Sequence, residues 1–295
     1  MKTGVRTAIL RCMFPDLQTV TRTKGSTQFY LFNLFADYIL PYKNGWAWTH
    51  ELLYLLDLLG VNDRAARTTL SRMKQQGWFE TVKDGRRSRY EITEKGRGII
   101  AEGDKRIFEA PITNWDGNWQ FVIYSLPEEK RPLRNELRKK LVWFGFGNLA
   151  PGTWVGAHDR LAELDKITGE MGIRSQVSLI NGQRVGLMTD DELVAKCWDL
   201  SGLEAEYAGF VDRWQHRLDR LAISDMSAED RFRTRFMLTF EFQPFPRKDP
   251  NLPAVLLPEN WSGFTARHLF LDYRLKLNEG LPAFFKRLPT ASSYD

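Results

Sequence analysis

One residue, Val61, separates a helix-stopping glycine, Gly60, from a helix-capping asparagine, Asn62. Two helices joined this tightly must meet at a sharp angle, the mark of a helix-turn-helix. Upstream, Leu52, Leu53, Leu55, Leu56 and Leu59 recur at helical spacing behind Trp48-Thr49, with Thr49 expected as the N-cap. Downstream, a further helix is expected from Asn62 to about Gln76, ending before Gly77. The runs Trp78 to Val82 and Ser88 to Thr93 then flank Lys83-Asp84-Gly85-Arg86-Arg87, whose Asp-Gly pair signals a hairpin turn. Helix, turn, helix and hairpin in that order predict a winged helix-turn-helix.

At about 100° per residue, the helix after Asn62 turns Arg64, Arg67, Thr68, Ser71 and Gln75 to one side, with Ala66, Leu70 and Met73 on the other. One face packs and the other is free. Guanidinium groups bond guanine or phosphate, and short hydroxyls bond base edges or phosphate, so the free face suits a DNA major groove. Arg86 and Arg87 at the hairpin tip, with Ser88 and Arg89 beside them, are expected to meet the backbone or minor groove, and Arg72 completes the candidate set. Charge is concentrated in the same place. Between Val61 and Tyr90 eight basic residues face three acids, an excess of five that equals the net charge of the whole chain. Taken singly, each arginine is as readily a solvated surface group. Their joint placement on helix and hairpin favours DNA.

The chain's 295 residues suffice for two or three cores. Thr27 to Leu40 reads as an amphipathic helix stopped by Pro41, after an N-terminal arm of residues 1–26, and Glu94 to about Phe108 reads as a charged helix leading to Pro111. A second unit follows. Trp119 to Tyr124 reads as a strand, Glu128 to Phe144 as a helix, Leu149 to Val155 as a strand after Gly145, Arg160 to Met171 as a helix, and Ile173 to Ile180 as a strand before an Asn181-Gly182 turn. This order suggests a ferredoxin-like α+β layer with one strand unplaced. From Thr189 the pattern is helical: Asp190 to Leu200, Glu204 to Leu221, Ala228 to Phe242 and Ser262 to Leu277, with a proline-rich stretch at Pro244 to Pro258. The expected class is therefore α+β, with a winged helix-turn-helix over 27–110, a ferredoxin-like domain over 111–188 and a mainly helical domain over 189–295.

Other chemistries find less support. Cys12 and Cys197 lie far apart without ligand-type neighbours, which argues against a disulfide framework or zinc site and for a reducing, cytoplasmic setting. The apolar row Ala8-Ile9-Leu10 is too short for a signal-peptide core, and no run approaches a membrane span. Gly145-Phe146-Gly147 lacks the third glycine of a dinucleotide fingerprint. His50, His158, His216 and His268 are dispersed and read as surface or capping groups. Asp190, Asp191 and Glu192 read as first-turn acids stabilised by a helix dipole rather than as metal ligands, and Trp154, Trp198 and Trp214 as core. No catalytic or metal residue is assigned, and no cofactor is implied.

The sequence resembles the PaaX family of bacterial transcriptional repressors. The carriers are Phe35-Ala36-Asp37-Tyr38, the stretch from Leu59-Gly60-Val61-Asn62 through Arg72, Gly77-Trp78, the block Arg134 to Gly156 with Pro151-Gly152-Thr153-Trp154-Val155, Asp249-Pro250-Asn251-Leu252-Pro253, Leu256-Leu257-Pro258, and Trp261 with Ala266-Arg267-His268-Leu269-Phe270. The resemblance implies a homodimer on double-stranded operator DNA, controlling aromatic-compound catabolism and released by an aryl-coenzyme A thioester. It assigns no effector-contact residues; Arg174, Arg184 and Arg213 are available cations only. It also implies kinship of the central domain with small CRISPR-associated nucleases, which raises a second reading as a metal-dependent nuclease. Tyr124-Ser125-Leu126-Pro127 stands where such an enzyme needs a carboxylate at the first strand's end.

Overall fold

The computed structural model describes residues 26–111, 114–183, 186, 188–219 and 223–289. The N-terminal arm expected over 1–26, Cys12 and Arg184 thus lie outside the described residues, apart from the backbone of Ser26. The fold is mixed helix and sheet, with two small antiparallel sheets. The chain divides into two compact units: one holds the residues up to Lys105, Asp212–Glu241 and those from His268 on, and the other holds Arg106–Val211 and Phe242–Arg267.

In the first unit, helix α1 comprises Ser26–Leu34, a π-helical turn Phe35–Ile39 and Leu40–Lys43. Pro41 does not stop it. The Leu40 N–H reaches back to the Phe35 carbonyl, and Pro41 falls in the first turn of the segment that follows, where its missing N–H costs least. The helix ends one turn later at Asn44 and Gly45, both left-handed with φ of 56° and 84°.

Strand β1 (Trp46–Trp48), absent from the sequence reading, leads into α2 (Thr49–Leu58). The N-cap of α2 is Trp48, not Thr49: the Glu51 carboxylate accepts from the Trp48 N–H at 3.0 Å. The Thr49 hydroxyl is used elsewhere, donating to the Ser88 carbonyl at 2.8 Å. Gly60 takes φ of 80°, and α3 (Asp63–Gln75) starts at once, capped by the Asn62 side chain accepting from the Ala65 N–H. Strands β2 (Phe79–Asp84) and β3 (Arg87–Ile92) pair from Phe79↔Ile92 to Asp84↔Arg87. Gly85 supplies the positive φ that a two-residue turn requires at its first position. β1 joins the far edge of β3, and α4 (Glu94–Phe108) follows.

Aromatic side chains close this unit's core. Tyr38 lies 5.0 Å from Phe232 and 5.2 Å from Phe285, and Phe35 stacks on Phe79 at 4.3 Å. A fully buried ring of this kind contributes about 1.5–3 kcal/mol. Arg274 adds a buried ion pair with both oxygens of Asp37, at 2.5 and 2.6 Å, and a bond to the Thr239 hydroxyl at 2.9 Å.

In the second unit, β4 (Asn118–Tyr124), α5 (Arg131–Trp143), β5 (Gly147–Ala150), β6 (Thr153–Gly156), α6 (Leu161–Glu170) and β7 (Val177–Gln183) form a four-stranded sheet in the order β5-β6-β4-β7. Leu149 to Val155 is a hairpin rather than one strand, because the chain reverses at Pro151-Gly152. Asn181-Gly182 is not a turn. Both residues lie within β7, opposite Gln120 and Trp119, and the pairing with β4 overrides the local signal. Val122, Tyr124, Leu137, Leu141, Phe146, Trp154 and Leu164 make its core. Helices α7 (Asp190–Cys197), α8 (Leu200–Asp219), α9 (Ala228–Phe242), α10 (Ser262–Lys276) and α11 (Leu281–Lys286) complete the chain. Thr189 and Glu192 cap α7 reciprocally, so its three acids do sit in a first turn.

Candidate nucleic-acid interface

Helix α3 carries its pattern as the periodicity required. Ala66, Leu70 and Met73 are fully buried, and Thr69 is nearly so with its hydroxyl bonded to the Ala65 carbonyl at 2.8 Å. Arg64, Arg67, Thr68, Ser71, Arg72 and Gln75 are all exposed. With one face anchored by three buried side chains, the helix cannot rotate without pulling them from the core, so the opposite face is presented as a fixed surface.

These side chains are not alike in their surroundings. Arg64 has no ion pair or hydrogen-bond partner among the described residues. Arg67 is held by Asp63, one turn earlier on the same helix. The Thr68 hydroxyl donates to the Arg64 carbonyl at 2.8 Å, and Arg72 donates to the Gln28 side chain at 3.1 Å. Arg67 also lies near the Tyr90 hydroxyl of β3: burial raises that phenol's pKa, and the guanidinium pulls it part of the way back.

On the hairpin, Arg86 and Arg87 are exposed at the tip and have no ion pair or hydrogen-bond partner among the described residues. Ser88 and Arg89 are more enclosed. Ser88 is within hydrogen-bond distance of the Thr49 hydroxyl, 3.0 Å away, and Arg89 pairs with Glu91 at 2.5 Å while lying over the Trp46 ring, 4.7 Å from its centroid. Arg89 and Ser88 therefore fasten the hairpin to β1 and α2. No local sequence signal marks this enclosure, because it depends on the three-residue strand β1. Arg233 fixes α2 from its other end, donating to the Leu58 carbonyl at 2.8 Å.

Elsewhere, several expected groups have structural employment. Arg174 pairs with Asp165 at 2.7 Å and Arg213 with Glu241 at 3.8 Å. Trp154 and Trp214 are core, bonded to Tyr124 and Glu241, while Trp198 is half-buried against Trp119. His158 is buried, not superficial: its ring bonds the Pro250 carbonyl at 3.0 Å, and burial lowers its pKa. The Tyr124 hydroxyl at the end of β4 is met by Trp154 and Arg138.

The second unit also contains two hollows that sequence reasoning missed. A recess of about 50 Å³ is lined by Arg106, Tyr207, Trp261 and Arg267 among others. Its cations are occupied: Arg106 donates to Glu109 and to the Pro246 and Asp249 carbonyls, and Arg267 donates to the carbonyls ending α4. A groove of about 840 Å³ is lined by Val194, Trp198 and Leu257 but also by Asp191, Asp199 and Glu259. Among the described residues no group of His, Cys, Asp and Glu is arranged to hold a metal ion, and no helix is long and apolar enough to cross a membrane.

Family models match nearly the whole described chain: a PaaX-like protein over residues 26–96, the PaaX protein central Cas2-like domain over 112–194, and the PaaX-like protein C-terminal domain over 198–287. The transcriptional repressor PaaX of Escherichia coli (strain K12) is 30% identical over 257 residues, covering 85% of this chain and 80% of that protein. Among solved structures, the uncharacterized protein Rv0674 from Mycobacterium tuberculosis superposes with a TM-score of 0.57 at 22% identity, covering 84% of this chain and 95% of that one, which supports a shared fold. The chain belongs to the PaaX family of transcriptional repressors.

Proposed function

We propose that this protein represses transcription by docking on double-stranded operator DNA through a winged helix-turn-helix, with α3 in the major groove and the β2–β3 hairpin as the wing. The observation that carries the reading is the pairing of a rigid, one-sidedly buried α3 with arginines that have no partner among the described residues on two neighbouring elements: Arg64 on the helix, Arg86 and Arg87 at the hairpin tip. Thr68, Ser71 and Gln75 supply polar groups on the same helix face, and Arg67 a second guanidinium. Arg72, Ser88 and Arg89 stand behind these as supports that adjoin the DNA.

The finer domain reading belongs with this proposal. Residues 27–110 act as the DNA-binding part, 111–188 as a ferredoxin-like part, and 189–295 as a helical part. The β-α-β-β-α-β order of the central sheet supports the middle assignment. A cytoplasmic homodimer presenting two recognition helices to paired half-sites, controlling phenylacetate-like catabolism and released by an aryl-coenzyme A thioester, follows from the family resemblance. The groove of about 840 Å³ has the volume for a ligand of that size, but its lining sets Asp191, Asp199 and Glu259 against the one cation Lys196, a net negative charge that opposes the coenzyme's phosphates, so the thioester is not assigned to it.

The test is a footprint on DNA upstream of the genes adjoining this one, followed by binding of alanine variants. Arg64→Ala and Arg67→Ala are each expected to weaken operator binding by about 1–3 kcal/mol and to relax base choice at one position. Unchanged affinity in both would overturn the assignment of α3. Titrating phenylacetyl-coenzyme A into the complex tests the effector: release of DNA supports the proposal, and unaltered affinity rejects it.

A further inference from the structure

Arg67 differs from Arg64, Arg86 and Arg87 in having the plane of its guanidinium set by a partner. Its Nε donates to one carboxylate oxygen of Asp63 and its Nη2 to the other, the latter at 3.2 Å. Both side chains are largely exposed, at 59% and 60%. An exposed i, i+4 pair contributes little to folding stability. Its effect on geometry is larger. The two bonds use one edge of the guanidinium fork and leave the Nη1 end free, and an oriented fork is what a bidentate contact to guanine O6 and N7 requires.

Asp63 is also oddly placed for a protein that binds a polyanion. It is the first residue of α3, at the end of a recognition helix that reaches deepest into the groove. A carboxylate there favours the helix through its dipole but is repelled by every phosphate, whatever the sequence. Among the described residues its side-chain partner is Arg67, whose guanidinium also acts on Tyr90 of the wing strand.

We propose that Asp63 is a positioning residue that orients Arg67 to read one G·C base pair, giving up general affinity for DNA in exchange for discrimination at that position. This rests on the DNA-binding reading above. Arg64, without such a partner among the described residues, contributes charge and contact but less orientation.

The experiment uses the full-length chain and a library of randomised duplexes, selected at about 0.15 M salt, followed by affinities for the selected duplex and its single-base variants. Arg67→Ala and Arg67→Lys are expected to abolish the preference at one G·C pair, since lysine cannot form the bidentate contact. Asp63→Asn keeps the side-chain volume and removes the charge. It is expected to lower the preference at that same base pair about two- to fivefold while binding unrelated duplex as tightly as, or more tightly than, the parent. Should Asp63→Asn change affinity for all single-base variants by one common factor, or relax a position other than that of Arg67→Ala, the positioning role is refuted. Failure of the parent chain to enrich any sequence is a separate result, and it would overturn the DNA-binding reading itself.

Discussion

The ion pair between Asp37 and Arg274 offers the most demanding test of how the first unit is held together. Asp37 is 7% exposed at its side chain and Arg274 14%, and the guanidinium spans both carboxylate oxygens at 2.5 and 2.6 Å. Removing one member of such a pair leaves a buried charge uncompensated and typically costs about 3–5 kcal/mol. The two single variants should differ. After Asp37→Ala the guanidinium keeps the Thr239 hydroxyl and the nearby Asp104 carboxylate, so the loss is expected near the lower end, about 3 kcal/mol. After Arg274→Ala two carboxylates, Asp37 and Asp104, face each other without their cation, and about 4–5 kcal/mol is expected at neutral pH. That larger loss should shrink as the pH falls, because Asp104 relieves the repulsion by taking up a proton. The double variant should cost less than the sum of the singles by at least about 1.5 kcal/mol. Urea unfolding at pH 5 and 7 measures all four proteins. Additive losses, or single losses below about 1 kcal/mol, would show that the pair is solvated and that aromatic packing alone holds α1 in place.

Further outcomes are open to direct measurement. Replacing Arg86 and Arg87 together by glutamine should weaken binding to all duplexes alike and reduce the slope of log affinity against log salt by about two, if each meets one phosphate; an unchanged slope removes the wing from the interface. Asp104 is held with a pKa raised to about 6, first by burial and then by Asp37. Because this acid binds its proton more tightly in the folded state, its contribution is present below about pH 4 and lost as pH rises through 6. Asp104→Asn should therefore raise the melting temperature at pH 7 relative to the parent, with the gain shrinking towards pH 4. Gly145 has φ of 85°, and a β-carbon there would stand 2.4 Å from the Pro250 carbonyl oxygen, so Gly145→Ala should cost about 2 kcal/mol or more in thermal unfolding.

What could be read in the sequence followed the range of the forces involved. Helix α3 and its cap, the positive φ of Gly60 and the hairpin at Gly85 depend on neighbours a few residues away, and their signals are local. Pro41 and Asn181-Gly182 carry equally strong local signals that tertiary structure overrides: a π-helical turn admits the proline, and seven paired residues of β4 hold Gly182 extended. At Leu149 to Val155 the turn was written in Pro151-Gly152, but the apolar residues on either side masked it. The exposed face of α3 was legible because a buried face of period 3.6 implies its opposite. The Asp63–Arg67 spacing of four was also there to see, although spacing alone does not distinguish an oriented guanidinium from a solvated one. Enclosure of Ser88 and Arg89 was invisible, since it depends on β1.

Arg274 reaches Asp37 from 237 positions later in the chain. This sets a schedule for synthesis. At roughly 5–20 residues per second, α1 leaves the ribosome roughly 10–50 s before its ionic partner is made. For that interval Tyr30 and Tyr38 lack the aromatic rings of α9 and α11, and the first unit exists as an unfinished half-core. Nascent chains stalled before residue 228 should accordingly bind chaperones and no DNA. A transcript broken early then yields no fragment that can complete the first unit, whose core draws on residues from Asp212 onward.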